Sequence, residues 1–244
     1  MATRPRASDP KRAALRRLDV FSAFSDAELD SLAELAQLRR YARGRTLVKQ
    51  GDLSEAAFGI VSGRLRVSLS RADGSEATLT LLGPGELVGE LGLFEAASRS
   101  AHVTALEDAC VLTVGKSAFL GALKRSPAAS LELCRLLASR VRQLAQHFEE
   151  VTAVPVEQRL ARKLVFLAAR WGAPTAGGVG LNLKLSQQEL AELVDTSRQS
   201  ANKCLSKWRS SGVLASSTRT LVIRDLSALQ RCAGTSVSSF VPGR

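Results

Sequence analysis

The sequence predicts an α+β fold: an N-terminal antiparallel β-roll, one long helix, and a C-terminal winged helix-turn-helix. Three observations carry this expectation. Residues 37–115 alternate apolar and polar positions between glycine-rich turns. Residues 127–154 repeat apolar side chains with a period of about 3.5 residues. Beyond Val154-Pro155-Val156 come closely spaced helical patterns and a last alternating stretch, LASSTRTLVIRD. A chain of 244 residues can bury two cores.

Taken in order, residues 1–17 carry six Lys/Arg against Asp9 and read as a basic flexible tail. In residues 18–36, Ser25 followed by Glu28 forms a capping box that starts a helix. The roll, residues 18–126, has short strands broken at Ser62-Gly63, Asp73-Gly74 and Gly83-Pro84-Gly85, with a hairpin expected at Ser70–Thr78. In the long helix, residues 127–154, the apolar positions are Cys134, Leu137, Val141, Leu144, Phe148 and Val151, alternating in steps of three and four. Such a seam fits two helices paired along their length, and makes Leu137, Val141, Leu144, Phe148 and Val151 the expected homodimer interface. A helix lying on its own roll would show a wider stripe.

Pro155 breaks that helix and opens the last domain, residues 155–232, with residues 233–244 as a C-terminal tail. VEQRLARKLVFLAARWG is an amphipathic helix closed by Gly172, APTAGGVG a loop, and LNLKL a short strand. Two helices follow, SQQELAELV and TSRQSANKCLSKWRSSG, before the hairpin. Ser186 with Glu189 caps the first and Ser197 the second. Asp195 falls in the turn between them, a place that often needs a positive φ.

Charge is distributed unevenly. Residues 18–154 hold 15 Lys/Arg against 17 Asp/Glu, whereas residues 155–244 hold 13 against five. A basic last third in a chain of net charge +11 points to a polyanion, most often nucleic acid. Four dispersed cysteines (Cys110, Cys134, Cys204, Cys232) and two histidines (His102, His147) offer no metal-ligand spacing. No nucleophile–base pair stands out, so an enzyme is not expected. No run approaches the ~20 apolar residues of a membrane span, and no apolar stretch follows the basic N-terminus as in a secretory signal. A cytoplasmic protein with reduced, mostly buried thiols is the expectation.

Residues 85–105, GELVGELGLFEAASRSAHVTA, place Glu90 and Arg99-Ser100 at either end of a short apolar loop. Glycines 83, 85, 89 and 92 leave backbone N–H groups accessible, and a short helix starting near Glu90 adds its positive end. Arg99 presents a fork that matches phosphate oxygens, and Ser100 can donate one more bond. Glu90 cannot face the same phosphate, but it can accept from a ribose hydroxyl. The loop therefore fits a ribose phosphate. The alternative is a Glu90–Arg99 ion pair closing an empty roll.

In the second helix of the C-terminal pair, Ala201, Leu205 and Trp208 face inward while Arg198, Gln199, Asn202 and Lys203 face out. Arg can bond guanine O6/N7 and Gln adenine N6/N7 from such positions. Ser186, Gln187, Ser197, Ser200, Thr218 and Arg219 lie where phosphates would be contacted.

With these residues the chain resembles the bacterial Crp/Fnr family of transcription regulators over about residues 18–230. GELVGELGLFEAASRSA is similar to the family's phosphate-binding cassette, and SRQSANK to its recognition helix. The resemblance implies a cyclic-nucleotide-binding-like roll in which Gly89, Glu90, the backbone at Leu91, Arg99 and Ser100 hold a cyclic nucleotide of the cyclic AMP type, with no metal. It implies double-stranded DNA, a second copy of the chain and RNA polymerase as partners, and base reading by Arg198, Gln199 and Lys203. The implied function is allosteric: the nucleotide sets the dimer that reads DNA. Three departures follow. The Thr-Ser pair that touches adenine in the family's cyclic AMP receptors falls on Leu144 and Ala145. Gln199 and Lys203 replace an acid and an arginine. The cysteine cluster of the oxygen-sensing branch is missing. Cyclic GMP, cyclic di-GMP, a ligand-independent regulator, or a cyclic-nucleotide module acting on another protein remain alternatives.

Overall fold

In a computed structural model the described residues are 10–94, 97–216 and 221–234. They divide into two compact units, residues 1–143 and 144–244. The first contains α1 (Pro10–Arg16), a 3-10 turn at Asp19–Phe21, α2 (Asp26–Leu35), β1 (Gln37–Tyr41), β2 (Thr46–Val48), β3 (Ala56–Ser62), β4 (Leu65–Ser70), β5 (Glu76–Leu82), β6 (Leu87–Val88), α3 (Leu91–Phe94), β7 (His102–Ala105), β8 (Ala109–Gly115) and α4 (Lys116–Arg125). Helix α5 (Pro127–Ala153) begins in this unit and ends in the next. The division falls inside α5, whereas the sequence places its punctuation at Pro155. The second unit adds α6 (Val156–Trp171), β9 (Gly172–Thr175), β10 (Gly178–Leu181), α7 (Gln187–Glu192), α8 (Arg198–Ser210), β11 (Leu214–Ser216), β12 (Leu221–Ile223) and α9 (Leu226–Ala233).

The roll is two four-stranded antiparallel sheets, ordered β1-β8-β3-β6 and β2-β7-β4-β5. Their inward residues, among them Val48, Phe58, Ile60, Leu65, Val67, Val103 and Val111, form one buried cluster. A second cluster joins Phe21, Phe24, Leu93, Leu112 and Phe119 to Ala129 and Leu133 on the first turns of α5. The expected β4–β5 hairpin turns at Gly74, whose φ is +81°. Ser25 and Glu28 form the expected reciprocal cap of α2.

Two local expectations are corrected. Residues 10–16 are not part of a flexible tail: they form α1, with Ala14 and Leu15 buried and Arg12 paired to Asp26 at 2.7 Å and to Asp30 at 3.2 Å. The following Leu18 fills the space over Gly59, where a Cβ would lie 2.3 Å from its methyl carbon. Charge concealed an amphipathic turn here, because the arginines sit beside buried leucines. In the second unit, residues 172–181 are a β9–β10 hairpin, not a loop, and the strand expected at 181–185 does not extend past Leu181. Ala176 and Gly177 make the turn, Gly178 opens β10 at φ +127°, and β10 is held between β9 and β12. The β12 partners lie 40 to 44 residues away, out of reach of a local pattern.

Candidate functional sites: a buried cradle, an apolar seam and an exposed reading helix

The cassette runs from β6 through Gly89 and Glu90 into α3, then back to Arg99. Gly89 has φ +82°, and a Cβ there would lie 2.7 Å from Arg99 Nη1 and 3.2 Å from the Phe58 ring. Glycine thus serves both the turn and the seating of the guanidinium. The Arg99 backbone is tied down on both sides, its N–H donating to Asp52 O at 2.8 Å and its carbonyl accepting from Gly51 at 2.9 Å. Its side chain is 6% exposed, donates from Nη1 to Gly89 O at 2.6 Å and from Nη2 to Ala56 O at 2.7 Å, and lies 5.4 Å from the Phe58 ring centroid. Burial pushes its pKa down, and the negative charges of Glu90, Asp52 and Glu55 push it back up.

Glu90 is completely buried. It does not close the loop by pairing with Arg99. Its Oε1 accepts from Arg140 on α5, which also donates to Leu87 O, while Oε2 has no partner. Ser54 Oγ, under Gly92, is likewise buried without a partner. Ser100 is exposed and Leu91 half exposed. The cradle therefore offers an unsatisfied carboxylate oxygen, which can only accept, and a guanidinium beside it with further N–H groups. A hydroxyl next to an anionic oxygen complements that pair, so the residues present fit a ribose phosphate. Among the described residues no cluster of His, Cys, Asp and Glu could hold a metal. The cysteines are not buried as expected: Cys134 and Cys232 are exposed and Cys110 and Cys204 half-buried.

Elsewhere on the roll, Ser70 Oγ and His102 Nε2 lie 2.8 Å apart, but Nδ1 of the same ring accepts from the Gln50 N–H at 3.3 Å. That bond leaves the proton on Nε2, so the ring donates to Ser70 instead of activating it.

Along α5, Val141, Leu144 and Phe148 are 67, 58 and 71% exposed, Cys134 is exposed, and Leu137 and Val151 are half-buried. These seam positions leave an apolar face of a kind rarely left to water.

In the second unit Ser186 and Glu189 cap α7 reciprocally at 3.1 and 2.7 Å. Asp195 has φ +52°, as the tight turn demands. Ser197 caps α8 by accepting from Ser200 N at 3.1 Å, and its hydroxyl lies 2.9 Å from that of Ser200. Ala201, Leu205 and Trp208 are buried, so Arg198, Gln199 and Lys203 stand exposed and Asn202 half exposed on the opposite face. Gln187, half exposed, opens the first helix of the pair. Strands β11 and β12 form the hairpin, with Thr218 and Arg219 outside the described residues.

Residues 38–126 match the cyclic nucleotide-binding domain, and residues 158–232 the Crp-like helix-turn-helix domain. The cyclic AMP receptor protein of Thermus thermophilus is 30% identical over 214 residues, covering 88% of this chain and 96% of that protein. The chain belongs to the CRP/FNR family. A CRP-like cAMP-activated global transcriptional regulator of Mycobacterium tuberculosis is 27% identical over 219 residues, 90% of this chain and 98% of that protein. A solved CRP-family transcriptional regulator, also of Thermus thermophilus, superimposes with a TM-score of 0.72 at 27% identity, covering 83% of this chain and all of that one. This CRP/FNR protein is thus a transcriptional regulator with a cyclic nucleotide-binding domain and a DNA-binding helix-turn-helix. No helix among its described residues is long and apolar enough to cross a membrane.

One cradle residue of this CRP/FNR regulator, Arg140, is missing from the sequence-based set. A signal was present: Ala129, Leu133 and Leu136 pack toward the roll, and Arg140 continues that stripe one turn on. The apolar seam runs along the adjoining face of the same helix and masks the stripe; Leu137, expected in the seam, itself packs against the roll.

Proposed function

We propose that this chain is a homodimeric DNA-binding regulator whose roll takes a cyclic nucleotide of the cyclic AMP type, with the bound nucleotide setting the DNA-reading dimer. The buried, unpaired Oε2 of Glu90 beside the Arg99 guanidinium carries this reading. An acceptor with no donor in a protein interior costs about 1–3 kcal/mol. A ribose 2′-hydroxyl would supply the donor, and the cyclic phosphate would draw on Arg99 and the exposed Ser100 hydroxyl. The exposed faces of Val141, Leu144 and Phe148 support pairing of α5 with a second copy. Arg198, Gln199 and Lys203 would read base edges, with Ser186, Gln187, Ser197, Ser200 and Arg219 near phosphates. RNA polymerase is the partner through which such a regulator would act on transcription.

A specific observation also favours a second reading, in which the dimer binds DNA without nucleotide. Both acid and base of the cradle already hold protein partners, Arg140 for Glu90 and two carbonyls for Arg99. Titration calorimetry with cyclic AMP, cyclic GMP and cyclic di-GMP separates the two. Heat with cyclic AMP together with tighter operator binding is expected, and no heat with any of the three would leave only the second reading. Sedimentation of the same samples should give a dimer that Val141→Asp splits.

A further inference from the structure

Among the described residues of the second unit, Arg159, near the start of α6, donates side-chain hydrogen bonds to four carbonyls. Its residue is 8% exposed. Nη1 donates to Val151 O at 2.9 Å and Val154 O at 3.0 Å, Nε to Val194 O at 3.1 Å, and Nη2 to Asp195 O at 3.2 Å. No carboxylate lies within ion-pairing distance of it among the described residues. A buried guanidinium without an ion-pair partner is costly to keep, and four carbonyls accept its hydrogen bonds.

Those carbonyls come from two places. Val151 lies in the last turn of α5 and Val154 just beyond it, where carbonyls lack helical partners and the helix dipole is negative. Val194 and Asp195 form the turn between α7 and α8, and Asp195 is the described non-glycine residue with positive φ. The guanidinium is planar and its donors sit in a fixed fork. Holding two carbonyls at the end of α5 and two in the turn therefore fixes the angle between them as well as the distance. Ser197, two residues past Asp195, starts the recognition helix.

We propose that Arg159 is the positioning residue that ties the direction of α8 to the end of α5, without touching nucleotide or DNA. A change in the pose of α5 is then passed to the reading helix, while loss of the fork frees one from the other. This extends the function proposed above and rests on it, the nucleotide arm on the ligand and the spacing arm on the homodimer.

The test uses the full chain, an operator selected from a random library, and the same operator with its half-site spacing changed by one base pair. Wild type and Arg159→Ala are compared for cyclic AMP affinity, for operator affinity with and without cyclic AMP, and for preference between spacings. The wild type should respond to cyclic AMP by a factor of about 5–150 and disfavour the altered spacing by about tenfold. In Arg159→Ala, cyclic AMP affinity should stay within about twofold, the response should fall below about twofold, and the spacing preference below about threefold. A purely structural role would lower affinity for every operator alike and leave both ratios unmoved. Arg159→Lys, which keeps the charge but not the fork, should lie between and carries the test if the alanine variant does not fold. Loss of either ratio with nucleotide binding intact supports the joint. Retention of both, or a parallel loss of nucleotide binding, overturns it. A wild type indifferent to cyclic AMP sinks the nucleotide reading, and the spacing arm still decides Arg159.

Discussion

The cradle and the reading helix use the same residue type in opposite ways. Arg99 lies under the surface with each terminal nitrogen on a backbone carbonyl, and its neighbour Glu90 is wholly buried. Arg198 stands in water at the first turn of α8, on a helix anchored by Ala201, Leu205 and Trp208 from behind. A buried charge must be compensated by the fold at every moment, so a single atom such as Glu90 Oε2 can decide what binds. An exposed charge is compensated by water and attracts DNA at long range, screened by salt over about 10 Å. The first arrangement makes selectivity out of desolvation. The second, in the function proposed here, would leave selectivity to geometry against the base edges.

The comparison can be broken most severely at Arg99. Arg99→Ala removes charge-assisted bonds to a phosphate worth roughly 1.5–3 kcal/mol each, so nucleotide affinity should fall by at least about 100-fold. Dimerisation should be spared, and calorimetry showing unaltered binding would mean that Arg99 does not touch the phosphate. Next in size is Arg140→Ala. It strips the cation from the buried Glu90 carboxylate, and because Arg140 is itself a quarter exposed the expected loss of stability is about 2–3 kcal/mol. Urea unfolding of the variant should register it; a midpoint equal to wild type would show that the pair is dispensable to the roll. The smallest change is Arg198→Ala, which should leave stability alone and cost about 1–3 kcal/mol at one base position. Equal losses on unrelated DNA would make Arg198 a phosphate contact, and a steep salt dependence retained by the variant would show that the remaining basic face still acts.

Legibility in the sequence follows how far each determinant reaches along the chain. The caps Ser25–Glu28 and Ser186–Glu189 and the positive φ at Asp195 involve residues a few positions apart, and all three were readable. So was the inward face of α8. Glu90 and Arg99 were readable as a loop's two polar ends, but not their partners. Arg140 lies 50 residues from Glu90, and Ala56 O lies 43 residues from Arg99. Helix α1 was obscured by its arginines, and the β9–β10 hairpin by glycines that suit a loop equally well.

Periodicity, capping and the split of charge along the chain were thus enough to specify the strands of the roll, the apolar stripe of α5 and the exposed polar face of α8, because each arises from neighbours on one element. Only the tertiary structure decided that Glu90 pairs with α5 and not with Arg99, and that Arg159 binds four carbonyls from two segments. Backbone carbonyls exist at every residue, so no pattern of side chains announces which of them a buried guanidinium will find. Folding settles it by bringing distant segments within the reach of one rigid fork.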